Sequence, residues 1–208
     1  MSLRRPRNSP PTKPAPVAGL VLYAGGDSWS DWTRLVFAEK DVVDARVDRL
    51  KPGAPPNEDL LVLNPEQRLP ALADRELLIT GARVIAEYLE ERYPHPRLMP
   101  TDPAGRARAR MVLDRFEQEL FPLLAEAAGD KAAGKAARVK LGQTLTASAR
   151  SFSARGWFLG PEFSLVDSAW AIWLQGVFAR GIEPPEPVRN YAERLAQRPA
   201  VRRFFTGR

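Results

Sequence analysis

The chain has no cysteine and a single histidine, His95, among its 208 residues. Without a thiol there is no disulfide, no thiolate nucleophile, no Cys-x-x-Cys redox pair and no sulfur-rich zinc site. One imidazole also excludes a multi-histidine metal centre, so no metal site is expected. No stretch approaches the ~18–20 apolar residues that a membrane span needs. The N-terminus is basic and proline-rich, with no apolar segment behind it of the kind a secretory leader carries. A cytoplasmic protein with no membrane partner is the expectation.

What is present is ordinary for a globular chain: 44% hydrophobic and 27% charged residues, enough length for one large or two small domains. The net charge of +6 is unevenly placed. Residues 1–19 hold Arg4, Arg5, Arg7 and Lys13 with no acid and five prolines, and read as a disordered tail. The remainder is nearly balanced; the basic tail offers charge to nucleic acid or to an acidic protein face, but no reader motif is present and direct nucleic-acid binding is not expected.

Order is expected to begin at "LVLYA" (20–24), a buried-strand pattern ended by Gly25 and Gly26. "SDWTRLVFAEK" has helical spacing, "VVDARVD" alternates as a strand, and a short helix is expected at about 57–63. "ALAD" and "ELLIT" are strands joined by a charged turn at Asp74–Arg75, and "GARVIAEYLEERY" is a helix. A βαβ unit followed by a ββα unit gives a mixed sheet with helices on its faces. After a proline-rich linker at 95–102, only helical patterns follow, over 103–127 (kinked at Pro122), about 131–155, 164–180 and 186–206. Ser164 and Asp167 form a capping-box pattern at the third of these. Phe204 and Phe205 are expected to tuck the C-terminus onto the core. The domains are therefore 20–94, α+β, and 103–208, all-α.

In "YPHP", Pro94 and Pro96 hold the backbone around His95 stiff. A ring on such a turn loses little entropy on docking, and Tyr93 beside it is of the amphipathic type enriched at interfaces. The plainer reading is a linker whose prolines stop a helix. "GRARARMVLDR" puts Arg106 and Arg110 on one helical face and Arg108 and Arg115 on another, which fits a solvated surface.

The strand and helix order, "NPEQRLPALAD" before the third strand and "SLVD" at a late helix resemble the glutathione transferase superfamily over 20–206. The resemblance implies a thioredoxin-like N-terminal domain on a helical C-terminal domain. It also implies a cis peptide before Pro70 that turns the main chain of Leu69 toward a glutathione pocket. Two elements of that pocket depart from the family pattern. The acid–serine pair that grips the γ-glutamyl end falls on Gly81 and Ala82, with Thr80 one residue out of register. The catalytic hydroxyl or thiol position falls on Asp27, where a carboxylate repels a thiolate. Ser28 and Ser30 are the alternative hydroxyls, with helix N-capping as their ordinary role.

"EYLEERYPHPRLMP", with "EFSLVDSAW" and "LVFAEKDV", is similar to the stringent starvation protein A branch of that superfamily. This likeness implies a homodimeric, non-catalytic adaptor without cofactor that binds RNA polymerase with its sigma factor, through a surface at Tyr93, Pro94, His95 and Pro96. A diverged glutathione transferase or glutathione-binding protein, with glutathione as its cofactor, is the alternative.

Overall fold

The computed structural model describes residues 17–42, 45–51, 53, 60–61 and 64–207. The expected tail lies outside them except for its last three residues. So does most of the short helix expected at 57–63, of which only Leu60 and Leu61 are described, as helical.

The N-terminal domain runs β1 (Val17–Ala24), α1 (Ser28–Glu39), β2 (Ala45–Arg49), β3 (Ala71–Arg75), β4 (Leu77–Thr80) and α2 (Ala82–Arg92). The sheet order is β2-β1-β3-β4, with β1 parallel to β2 and antiparallel to β3, and β4 antiparallel to β3. β1 starts three residues earlier than its apolar run, because Val17 pairs across a register shift with Arg75. It is a central strand covered on both faces, which is why Leu20 to Ala24 are apolar without alternation. Leu20, Leu22 and Ala24 enter the main core, while Val21 and Tyr23 meet Leu60, Ala71 and Ala73 on the other face.

The C-terminal domain consists of α3 (Pro103–Arg115), a π-helical turn at Phe116–Leu120, α4 (Phe121–Glu126), α5 (Ala132–Ser148), α6 (Leu165–Phe178), α7 (Glu186–Gln197) and α8 (Pro199–Thr206). The π turn answers the expected kink. Phe121 N–H reaches back five residues to Phe116 O, and the widened turn makes room for the ring of Pro122, which cannot donate. Two helices differ from expectation. α5 ends at Ser148 and one 3-10 turn follows over Ala149–Ser151, so the helix stops short of 155. The helix expected over 186–206 breaks at Arg198, which is extended (φ −68°, ψ 128°) before Pro199, as the proline ring requires of its predecessor.

At α6 the capping box is present. Asp167 lies at the centre of four donors: Phe158 N–H and Ser164 N–H at 2.8 Å, Ser164 Oγ at 2.6 Å and Tyr191 OH at 2.5 Å. One apolar core joins the domains, and Trp32 Nε1 donates across it to Ser168 Oγ at 2.9 Å. Phe204 is buried and Phe205 packs beside it. Architecture and topology are those of a thioredoxin-like α+β domain followed by an all-α domain. No helix among the described residues is long and apolar enough to cross a membrane.

Candidate functional site

Three regions carry the residues singled out from the sequence. At the first, the Leu69–Pro70 peptide is cis and leads directly into β3. The approach is fixed by Asn64, whose Nδ2 donates to Arg68 O at 2.8 Å while its Oδ1 accepts from Arg68 N–H at 3.3 Å. Opposite it, Gly81 is the N-cap of α2, with φ +93° and no side-chain cap. Ala82 is buried, so no polar side chain stands at either position. A nearby amide of that helix end is already engaged: Arg83 N–H donates to Glu117 Oε1 at 3.3 Å. Burial pushes the Glu117 carboxyl up in pKa, and the Arg83 charge and amide only partly offset this.

At the second region, the start of α1, the capping residue is Asp27 and not a serine. Its Oδ1 accepts Ser30 N–H at 2.9 Å, its Oδ2 accepts Ser30 Oγ–H at 3.0 Å, and Ser30 Oγ accepts Gly25 N–H at 2.9 Å. Ser30 is fully buried in this ring, so the cap expected of a serine is made by Asp27 and the Ser30 hydroxyl is engaged within the turn. A Cβ at Gly25 would lie 2.8 Å from Asp27 Oδ2, so a side chain there would displace the carboxylate from this ring. Ser28 is only partly covered and borders an interdomain cleft of about 450 Å³ with Asp27, Asp31, Gln175 and Arg180.

The third region is the connector after α2. Pro94, His95 and Pro96 are exposed and Tyr93 partly so; the His95–Pro96 peptide is also cis. Beneath them, Lys40 at the end of α1 is buried, and its ammonium pairs with Glu90 of α2. It also donates to Tyr93 O at 2.8 Å and Pro96 O at 2.7 Å. Glu90 in turn accepts Leu98 N–H at 3.0 Å and Met99 N–H at 3.1 Å. Leu98 O takes the first amide of α6, Leu165 N–H, at 2.8 Å. Arg92 spans from Asp74 (3.0 Å) to the face of the Tyr93 ring (5.7 Å). Lys40 and Glu90 were not singled out from the sequence. Their signal was there: Lys40 continues the buried stripe of Val36 by one turn, and Glu90 that of Ala82 and Ala86, so each puts a charge on an apolar face.

Arg108, Arg110 and Arg115 of α3 are exposed, as expected of a solvated surface, and Arg106 is partly buried. Arg110 holds Glu87 of α2 at 2.7 Å and Arg115 holds Glu119 at 3.2 Å.

Comparison with known proteins agrees with this fold. The glutathione S-transferase N-terminal domain model matches residues 18–91 and the C-terminal domain model residues 106–207. A stringent starvation protein A homolog of Histophilus somni is 35% identical over 178 residues, spanning 83% of this chain and 82% of that protein. Maleylacetoacetate isomerase of Rattus norvegicus is 36% identical over 107 residues, half of each chain. Among solved structures, FzlA from C. crescentus aligns with a TM-score of 0.78 at 28% identity over 92% of this chain and 93% of that one. Glutathione transferase Omega 3C from Trametes versicolor aligns with a TM-score of 0.78 at 24% identity, over 90% and 89%. The chain belongs to the stringent starvation protein A family, within the glutathione transferase fold.

Proposed function

We propose that this chain is a non-catalytic cytoplasmic adaptor that docks on RNA polymerase with its sigma factor, using the exposed turn Tyr93–Pro96. The observation that carries the reading is a contrast within one domain. The positions to which the resemblance assigns the γ-glutamyl grip, Gly81 and Ala82, offer no polar side chain, whereas the Pro94-His95-Pro96 turn is presented to solvent on a fixed base. A rigid, exposed turn flanked by an aromatic ring favours association, because little freedom is lost on binding.

The protein acts as a homodimer in this account. Leu77, Val84 and Met111 are 50%, 57% and 73% exposed, large apolar side chains on β4, α2 and α3. Beside Val84 lies a groove of about 500 Å³ bordered by Ile79, Glu87, Tyr88 and Arg110. An apolar surface rimmed by charges suits self-association.

A second reading, a glutathione-binding or transferase activity, is favoured by the cis Leu69–Pro70 platform and by Ser28 on the interdomain cleft. Retention of RNA polymerase holoenzyme on immobilised protein separates the two. The adaptor reading expects retention by the native chain and its loss in His95→Ala. Absence of retention, together with saturable glutathione binding that Ser28→Ala weakens, supports the transferase.

A further inference from the structure

The two carbonyls held by Lys40 lie on either side of His95: Tyr93 O before it and Pro96 O after it. An ammonium has three donors and no acceptor, and here all three are used, the last on Glu90. The Glu90 carboxylate continues the grip downstream through Leu98 and Met99 N–H. One ion pair between α1 and α2 therefore fixes the main chain of the connector on both sides of the exposed histidine.

An apolar pair at 40 and 90 would join the two helices about as well, since desolvating two charges offsets much of their attraction. Such a pair has nothing to offer two carbonyls and two amides of an irregular segment. What the ion pair supplies beyond adhesion is the path of the turn.

We infer that Lys40 and Glu90 are positioning residues for the docking surface, holding the Tyr93–Pro96 turn in its binding-competent form without touching the partner. The inference rests on the reading of that turn as the docking site. It adds two buried residues whose alteration weakens docking from beneath an unchanged surface sequence.

The test uses the full chain with Lys40→Met and with the double change Lys40→Met/Glu90→Met, which removes both charges and so avoids stranding one. His95 is the sole histidine, so its imidazole C–H resonances are read by NMR without assignment. The indole N–H signals of Trp32 and Trp173, bonded to Ser168 Oγ and Leu120 O, report the interior. The expected result is shifted, broadened or doubled His95 resonances with both indole signals in place. Polymerase retention falls about tenfold if the competent turn is then populated about a tenth of the time.

Native His95 resonances and native retention in both variants overturn the inference. Loss of the indole signals in the double variant also overturns it, because the pair is then a requirement of the fold and not of the turn. If the native chain retains polymerase, His95→Ala abolishes this and the Lys40 variants do not, the docking reading stands and the positioning role falls. If the native chain retains none, the docking reading falls and the His95 resonances alone decide whether the pair sets the turn.

Discussion

Ser30 is held by three hydrogen bonds in a fully buried position, whereas Ser28, two residues earlier, faces the cleft. The two hydroxyls therefore differ in what their removal disturbs. Ser30→Ala leaves Gly25 N–H and one Asp27 oxygen without partners and is expected to lower unfolding free energy by about 1–3 kcal/mol, measured by urea titration. Ser28→Ala is expected to stay within about 0.5 kcal/mol of the native chain. At this scale the sequence was informative where a residue's role is local. The Ser164–Asp167 box follows from neighbouring residues and the cis peptide before Pro70 from the family resemblance, and both are present. The commitment of Ser30 depends on where Gly25 and Asp27 place their polar atoms. The Lys40–Glu90 pair joins residues 50 apart in sequence, a juxtaposition no local pattern contains.

Between elements, the joint of α6 and α7 is built on Asp167 and Tyr191. Burial pushes the Tyr191 phenol well above its ordinary value of 10.0, and the Asp167 charge and hydrogen bond add to this. Burial likewise raises the Asp167 carboxyl, opposed by the four hydrogen bonds it accepts. The sign for Tyr191 is fixed by which state ionises first. Above pH 10 the unfolded phenol loses its proton while the folded one keeps it, so its stabilising contribution is complete below that pH. It is lost as pH rises, at up to about 1.4 kcal/mol per pH unit. Tyr191→Phe is expected to be less stable at neutral pH, by about 0.5–1.5 kcal/mol for the lost hydrogen bond. Its stability should fall less steeply above pH 10 in denaturant titrations; equal slopes would remove the phenol from the account. The sheet and the placing of the helical segments were legible because apolar period and proline or glycine breaks are local. The break at Arg198 was readable in Pro199 but was masked by the continuous apolar spacing on both sides. The end of α5 at Ser148 has no comparably sharp signal, since the polar residues after it also suit an exposed helix.

For the whole molecule, the domains act as one body because side chains from each are buried in the other. Trp32 reaches Ser168, and Glu39 reaches Arg198 at 2.8 Å, whose guanidinium lies 3.7 Å from the centre of the Phe163 ring. Adjacent residues at the end of α1 thus hold the C-terminal domain and the connector. On the proposed dimer face, Met111→Glu puts a charge among exposed apolar side chains. It is expected to convert a dimer to a monomer in sedimentation equilibrium, with monomer stability changed by less than about 0.5 kcal/mol; a native chain that sediments as a monomer contradicts the dimer. The central claim is that the fold has exchanged a small-molecule grip for a macromolecular one. Its most direct test is fluorescence anisotropy of the labelled full chain titrated with RNA polymerase holoenzyme, repeated with saturating glutathione. The account predicts saturable binding that glutathione leaves unchanged and that His95→Ala removes. No binding to the polymerase, or binding that glutathione competes away, would contradict it.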